Sequence, residues 1–119
     1  MKKLSLFVFI LLSLNAAGQT GCAGLPTAFR SYDDAVSTVR NFGFSFKDRV
    51  NTAKSSWIRG ASYYSCDKRS GFLLISTDNE TYIHANVPIT VWYQFKSANS
   101  FGSFYSSNIR GRFQLRLAR

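Results

Sequence analysis

The sequence has little of what metal, nucleophilic and acid–base chemistry uses. It holds two cysteines, one histidine and six acidic residues among 119. Cys22, Cys66 and His84 make no recognisable metal-ligand spacing. No two carboxylates are placed as a general acid/base pair, since Asp33 and Asp34 suit the amino end of a helix better. A nucleophilic reading would join Cys66 to His84 and Asp67, but nothing in the spacing brings them within hydrogen-bond reach. Gly102 and Gly111 stand alone rather than in a phosphate-cradling loop. No apolar run reaches the roughly 20 residues that a membrane span needs. There is no internal repeat, low-complexity tract or linker. These absences give the expectation of a non-enzymatic chain with no cofactor, no metal site and no evident small-molecule substrate.

The amino terminus carries the clearest local signal. Lys2 and Lys3 precede an apolar run, Leu4 to Leu14, and Ala16-Ala17-Gly18 offers small residues for cleavage before Gln19. This is the layout of a secretory signal peptide over residues 1–18, and it predicts export to the periplasm or the medium. Lipidation of Cys22 is the competing reading, but Gln19 sits where such a site wants an aliphatic residue. In an oxidising compartment an even cysteine count points to one disulfide, Cys22–Cys66.

Charge is lopsided. The net charge is +9, and removal of Lys2 and Lys3 leaves about +7. Such a balance suits anionic partners: glycan, lipid head group or nucleic acid. Hydrophobic content of 45% and aromatic content of 16% favour a packed globule over disorder.

Ser31 reads as an N-cap with Asp34 three residues on, and Tyr32, Ala35, Val36, Val39 and Phe42 fall at helical spacing. A helix is expected over Tyr32–Phe42, with Gly43 as its left-handed stop. Phe44 and Phe46 suggest a short edge strand, and Asp48–Lys54 a polar connection. Three runs then read as strands: Trp57–Cys66, Gly71–Thr77 and Glu80–Val87, separated by Asp67–Gly71 and Asp78–Asn79. They predict an antiparallel meander. Alternation in the third puts Tyr82 and His84 on one face, with Ile83, Ala85 and Val87 on the other. Pro88 fits the first turn of a helix with the stripe Val91, Phe95 and Ala98, while Trp92 and Lys96 lie beside it. A further turn or two of helix is expected around Gly102, and the alternation of Phe113, Leu115 and Leu117 predicts a last strand. The fold class is α+β: a small antiparallel meander packed by a Pro-initiated helix, with an added N-terminal helix.

Aromatic and basic residues interleave in the carboxy-terminal half. Tyr82, His84, Trp92, Lys96, Tyr105, Arg110 and Arg112 are the candidate binding residues, because rings beside cations can stack on sugars or bases and hold phosphates. Even spacing of Arg110, Arg112 and Arg116 would line them up on one face of an extended segment.

Ser55-Ser56-x-Ile58, Tyr82-x-His84, Val87-Pro88-x-x-Val91, Ala98, Ser100-x-Gly102-x-Phe104-Tyr105 and Ile109-Arg110-Gly111-Arg112-Phe113 run in an order that resembles the KTSC domain. That domain takes its name from the carboxy terminus of certain lysyl-tRNA synthetases and also occurs as a stand-alone bacterial protein. The resemblance starts at Lys54, so residues 19–53 read as an extension with one helix and residues 54–119 as the domain. It implies a small α+β module with no established enzymatic activity, for which RNA binding has been suggested. Where the family has tyrosine-x-tyrosine, this chain has Tyr82-x-His84.

Overall fold

The computed structural model describes residues 22–118. The expected signal peptide, its cut before Gln19, and Arg119 lie outside these residues. No described helix is long and apolar enough to cross a membrane.

Ser31 caps helix α1 (Tyr32–Asn41): its Oγ accepts the Asp34 N–H at 3.0 Å. Asp34 Oδ2 in turn accepts the N–H of Arg30, the residue before the cap, at 3.2 Å, so the Ser31 side chain takes up a donor that the helix start leaves free while Asp34 fixes the entering chain. The helix stops without a left-handed glycine. Phe42 turns extended while its N–H still reaches Thr38, and Gly43 is not among the residues with positive φ.

Four strands follow: β1 (Phe46–Val50), β2 (Gly60–Ser65), β3 (Ser70–Ser76) and β4 (Thr81–Pro88). They form one sheet in the order β1-β2-β3-β4, each pair antiparallel, which is the expected meander. β1 runs further than the sequence suggests and takes Asp48 out of the polar connection into the sheet. Asp67 organises the β2–β3 turn, its Oδ1 accepting the N–H of Arg69 at 2.8 Å and of Ser70 at 3.2 Å. A Cβ on Gly71 would run into the Tyr64 main chain, so only glycine fits there.

One irregularity rearranges the faces of β4. Gly71 pairs with Val87 but Leu73 with His84, so two residues of β4, Ala85 and Asn86, oppose Phe72 alone. Asn86 takes φ 58°, a left-handed conformation that asparagine tolerates better than most residues. The bulge moves Val87 to the face of His84, away from Ile83 and Ala85, against the simple alternation.

Each face of the sheet carries its own core. On one, Ala61, Tyr63, Leu73, Ile75 and Val87 pack under α2 (Ile89–Lys96) and α3 (Phe101–Asn108). Pro88 is the N-cap of α2. The stripe that α2 buries is Trp92 and Phe95; Val91 is only half-buried, so Trp92 takes the place expected for Val91. The Trp92 ring lies 5.5 Å from Tyr63 and 5.9 Å from Phe95, and Phe95 lies 5.0 Å from Phe101, all near-parallel. On the other face, Ala35, Val36 and Val39 of α1 meet Leu74, Ile83 and Ala85. The Cys22–Cys66 disulfide ties the lead-in to the end of β2 on that side.

The expected last strand is absent. Gly111 at φ 78° makes a turn, and the chain then crosses the outer edge of β4, where Phe113 C=O accepts the Ala85 N–H at 3.2 Å. Phe113 packs toward the helical core, and Leu115 and Leu117 toward the other. A single parallel bridge joins Phe29 to Leu117. The apolar alternation therefore reflects a segment pinned between two cores rather than a ladder.

Candidate functional site

The residues that could meet a ligand gather at the outer edge of β4 and the turn after α3. His84 sits on the inner face of β4, 8% exposed, with Nε2 2.8 Å from the Tyr105 hydroxyl. Burial pushes its pKa below the ordinary 6.5, and a main-chain contact with Phe113 offsets only part of that. The ring is thus held neutral. Tyr105 is buried in α3, and burial raises its pKa while the neighbouring Arg110 pulls the other way.

The pH dependence follows in sign. A folded-state pKa below the unfolded value means that the unfolded chain takes up the proton first as pH falls. The stability His84 contributes is present above 6.5 and should decline as the pH drops through and below that value. Urea denaturation across this range should show the decline, and His84→Gln should flatten it. A slope that survives the substitution would assign the titration elsewhere.

Arg110 follows directly from α3. Its N–H donates to Tyr105 C=O at 2.9 Å, and its guanidinium lies 5.5 Å from the centre of the Tyr105 ring and 5.9 Å from that of Trp57. It is exposed and forms no ion pair among the described residues. Arg112 is exposed beyond the Gly111 turn. That turn prevents Arg110, Arg112 and Arg116 from sharing one extended face. Tyr82 lies 41% exposed beside this cluster. A groove of about 1110 Å³ runs from Tyr32 of α1 past Tyr82 and His84 to Gly111 and Gln114.

Two other candidates lie elsewhere. Trp92 is fully buried, and its indole N–H donates to Asp48 Oδ2 at 2.8 Å. Lys96 Nζ binds the same oxygen at 2.6 Å. Burial tends to raise the Asp48 pKa, but the hydrogen bonds from Lys96 and Trp92 outweigh it and hold the carboxyl below its ordinary value. Trp92 and Lys96 therefore fasten α2 to β1 and offer no open stacking surface. Tyr105, 2% exposed, is likewise closed off and lies beneath the Arg110 guanidinium. Cys66 is in the disulfide, and Asp67 serves the β2–β3 turn, so neither stands with His84.

Trp57 is the site residue that sequence reading missed. It precedes β2 instead of opening it, set by Ser55 Oγ, which accepts the N–H of Trp57 at 3.3 Å and of Ile58 at 3.0 Å. Gly102 lacks the Cβ that would strike the indole. The Ser55-Ser56-x-Ile58 and Ser100-x-Gly102 patterns were the available signal, since together they place the ring beneath Arg110.

A family model described as the KTSC domain matches residues 54–113, half of the chain. Among solved structures, the crystal structure of a KTSC domain protein from Yersinia pestis is similar at 29% identity with a TM-score of 0.50, covering 62% of this chain and 100% of that one. No curated protein matches.

Proposed function

The chain belongs to the KTSC domain family, and we propose on that footing that it is an exported, non-enzymatic module of the cell envelope that binds an anionic partner through Arg110 and Arg112. The observation that carries this reading is Arg110: a guanidinium laid over two rings, exposed, and free of any acid partner among the described residues. Stacking orders the side chain before a ligand arrives, so less conformational entropy is lost on binding. The planar fork can then meet a phosphate, sulfate or carboxylate with two parallel hydrogen bonds. His84 holds the Tyr105 hydroxyl from below and so positions the ring under the guanidinium. After Glu80 the sequence contains no acidic residue, so nothing close in the chain neutralises the patch.

The double substitution Arg110→Ala with Arg112→Ala should shift elution from heparin to lower salt and reduce the slope of log affinity against log salt by about two. Elution unchanged by the pair would remove the patch from the reading. Nucleic acid is the second reading, favoured by the half-buried Trp57 ring beneath the Arg110 guanidinium, a ring and a cation together. Single-stranded RNA competing better than heparin for the wild-type patch would select it.

Export has its own check. Intact-mass measurement of protein recovered from the periplasm or medium should give a chain beginning at Gln19. A diacylglyceryl adduct on Cys22 would replace soluble export with anchoring.

A further inference from the structure

We propose that the groove between α1 and the outer edge of β4 is a second site, one that binds a neutral oligosaccharide. Its most telling feature is two aromatic rings left in solvent. Tyr32 is 55% exposed and Tyr82 41%, and of the three large hydrophobic side chains exposed among the described residues these two line one groove. Neither ring is needed to fill a core, and a rigid ring with a hydroxyl suits the mixed face of a sugar, apolar over its C–H groups and polar at its edge.

The groups around the rings complete the chemistry. The carboxylates of Asp33 and Glu80 and the side-chain amides of Asn79 and Gln114 line the groove and have no protein hydrogen-bond or ion-pair partner among the described residues. Carboxylates and planar amides accept and donate to adjacent sugar hydroxyls in pairs. Charge then decides which ligand fits. Two unpaired acids beside Arg40 leave the groove slightly negative in a chain of net charge +9. The lining itself holds one cation against two acids and so offers a phosphate or sulfate no unopposed positive charge, and an uncharged sugar chain fits it best. At about 1110 Å³ the groove is slightly larger than ordinary ligand clefts, which run about 300–1,000 Å³, as suits more than one sugar unit.

The groove also reaches beyond the residues that the family model matches. One wall is α1, which precedes the matched residues 54–113. The helix thus turns an open sheet edge into a cleft that residues 54–113 alone do not make. This site stands independently of the Arg110 patch.

The test is titration of the full exported chain with maltotetraose, cellotetraose and chitotetraose, followed by amide chemical shifts. One of these sugars should move the resonances of Tyr32, Asn79, Tyr82 and Gln114, with an affinity indifferent to salt. Tyr82→Ala and Tyr32→Ala should each weaken that binding about tenfold or more, a loss of about 1.4 kcal/mol. Tyr82→Phe, which keeps the ring and guards against misfolding, should retain most of it, and Arg110→Ala should leave it unchanged. No groove shift with any of the three sugars would overturn the proposal. So would binding that falls steeply with salt, or a groove that responds to single-stranded RNA instead. Loss of heparin binding in Arg110→Ala with the sugar shifts intact would support both sites separately.

Discussion

Phe95→Ala should lower stability by about 3–5 kcal/mol. The side chain is fully buried, with Trp92 and Phe101 stacked on it at 5.9 and 5.0 Å and Phe104 edge-on at 6.1 Å. Removing the ring opens a cavity between two helices and the sheet, and rigid aromatic neighbours can close only part of it. The stack is continuous from Tyr63 through Trp92 and Phe95 to Phe101, so the loss also releases the contact that orders α3 against α2. Val91→Ala is the control. Val91 is half-buried on the same helix, and truncating it should cost only about 1 kcal/mol. Equal shifts of the denaturation midpoint for the two variants would mean that α2 presents a different face to the sheet.

That contrast shows where the sequence was legible. α1 was readable because its signals are local: Ser31, Asp34 and the apolar period all lie within about three turns. The meander was readable because turn residues separate its strands. In α2, eight residues long, a stripe through Val91, Phe95 and Ala98 and one through Trp92 and Phe95 fit the pattern equally well. The choice rests on Asp48, 44 residues before Trp92, which takes the indole N–H and the Lys96 ammonium. No local pattern reports such a partner. Val87 changed faces because Asn86 absorbs a bulge, and strict alternation has no place for an extra residue. Of the candidate site, the charge of Arg110 and Arg112 and the ring of Tyr82 were legible from composition and order. The stacking of Arg110 on Trp57 was not, because it depends on Trp57 meeting Gly102 across the fold.

The other large effect concerns the disulfide. Reducing Cys22–Cys66 should destabilise the protein by about 4 kcal/mol, the loop-closure entropy that the link removes from the unfolded chain. The bridge spans a sequence separation of 44 with Cα atoms 5.8 Å apart, and it joins the irregular lead-in directly to the end of β2. The effect should be uneven across the fold. The core under α2 and α3 draws on residues from Phe46 to Phe113, none of them in α1 or the lead-in. The opposite core does depend on that segment, through Phe29, Ala35, Val36 and Val39. Without the bridge, α1 is held by that apolar face and by the isolated Phe29–Leu117 bridge. Amide exchange should therefore quicken in α1 on reduction while β2 and β3 stay protected. A transition midpoint indifferent to reductant would show that the tether adds nothing to stability, and uniform exchange would show that the two cores unfold as one. Two alkylatable thiols in native exported protein would remove the bridge itself. Because α1 forms one wall of the tyrosine-lined groove, reduction should also weaken sugar binding there and leave heparin binding at Arg110 in place.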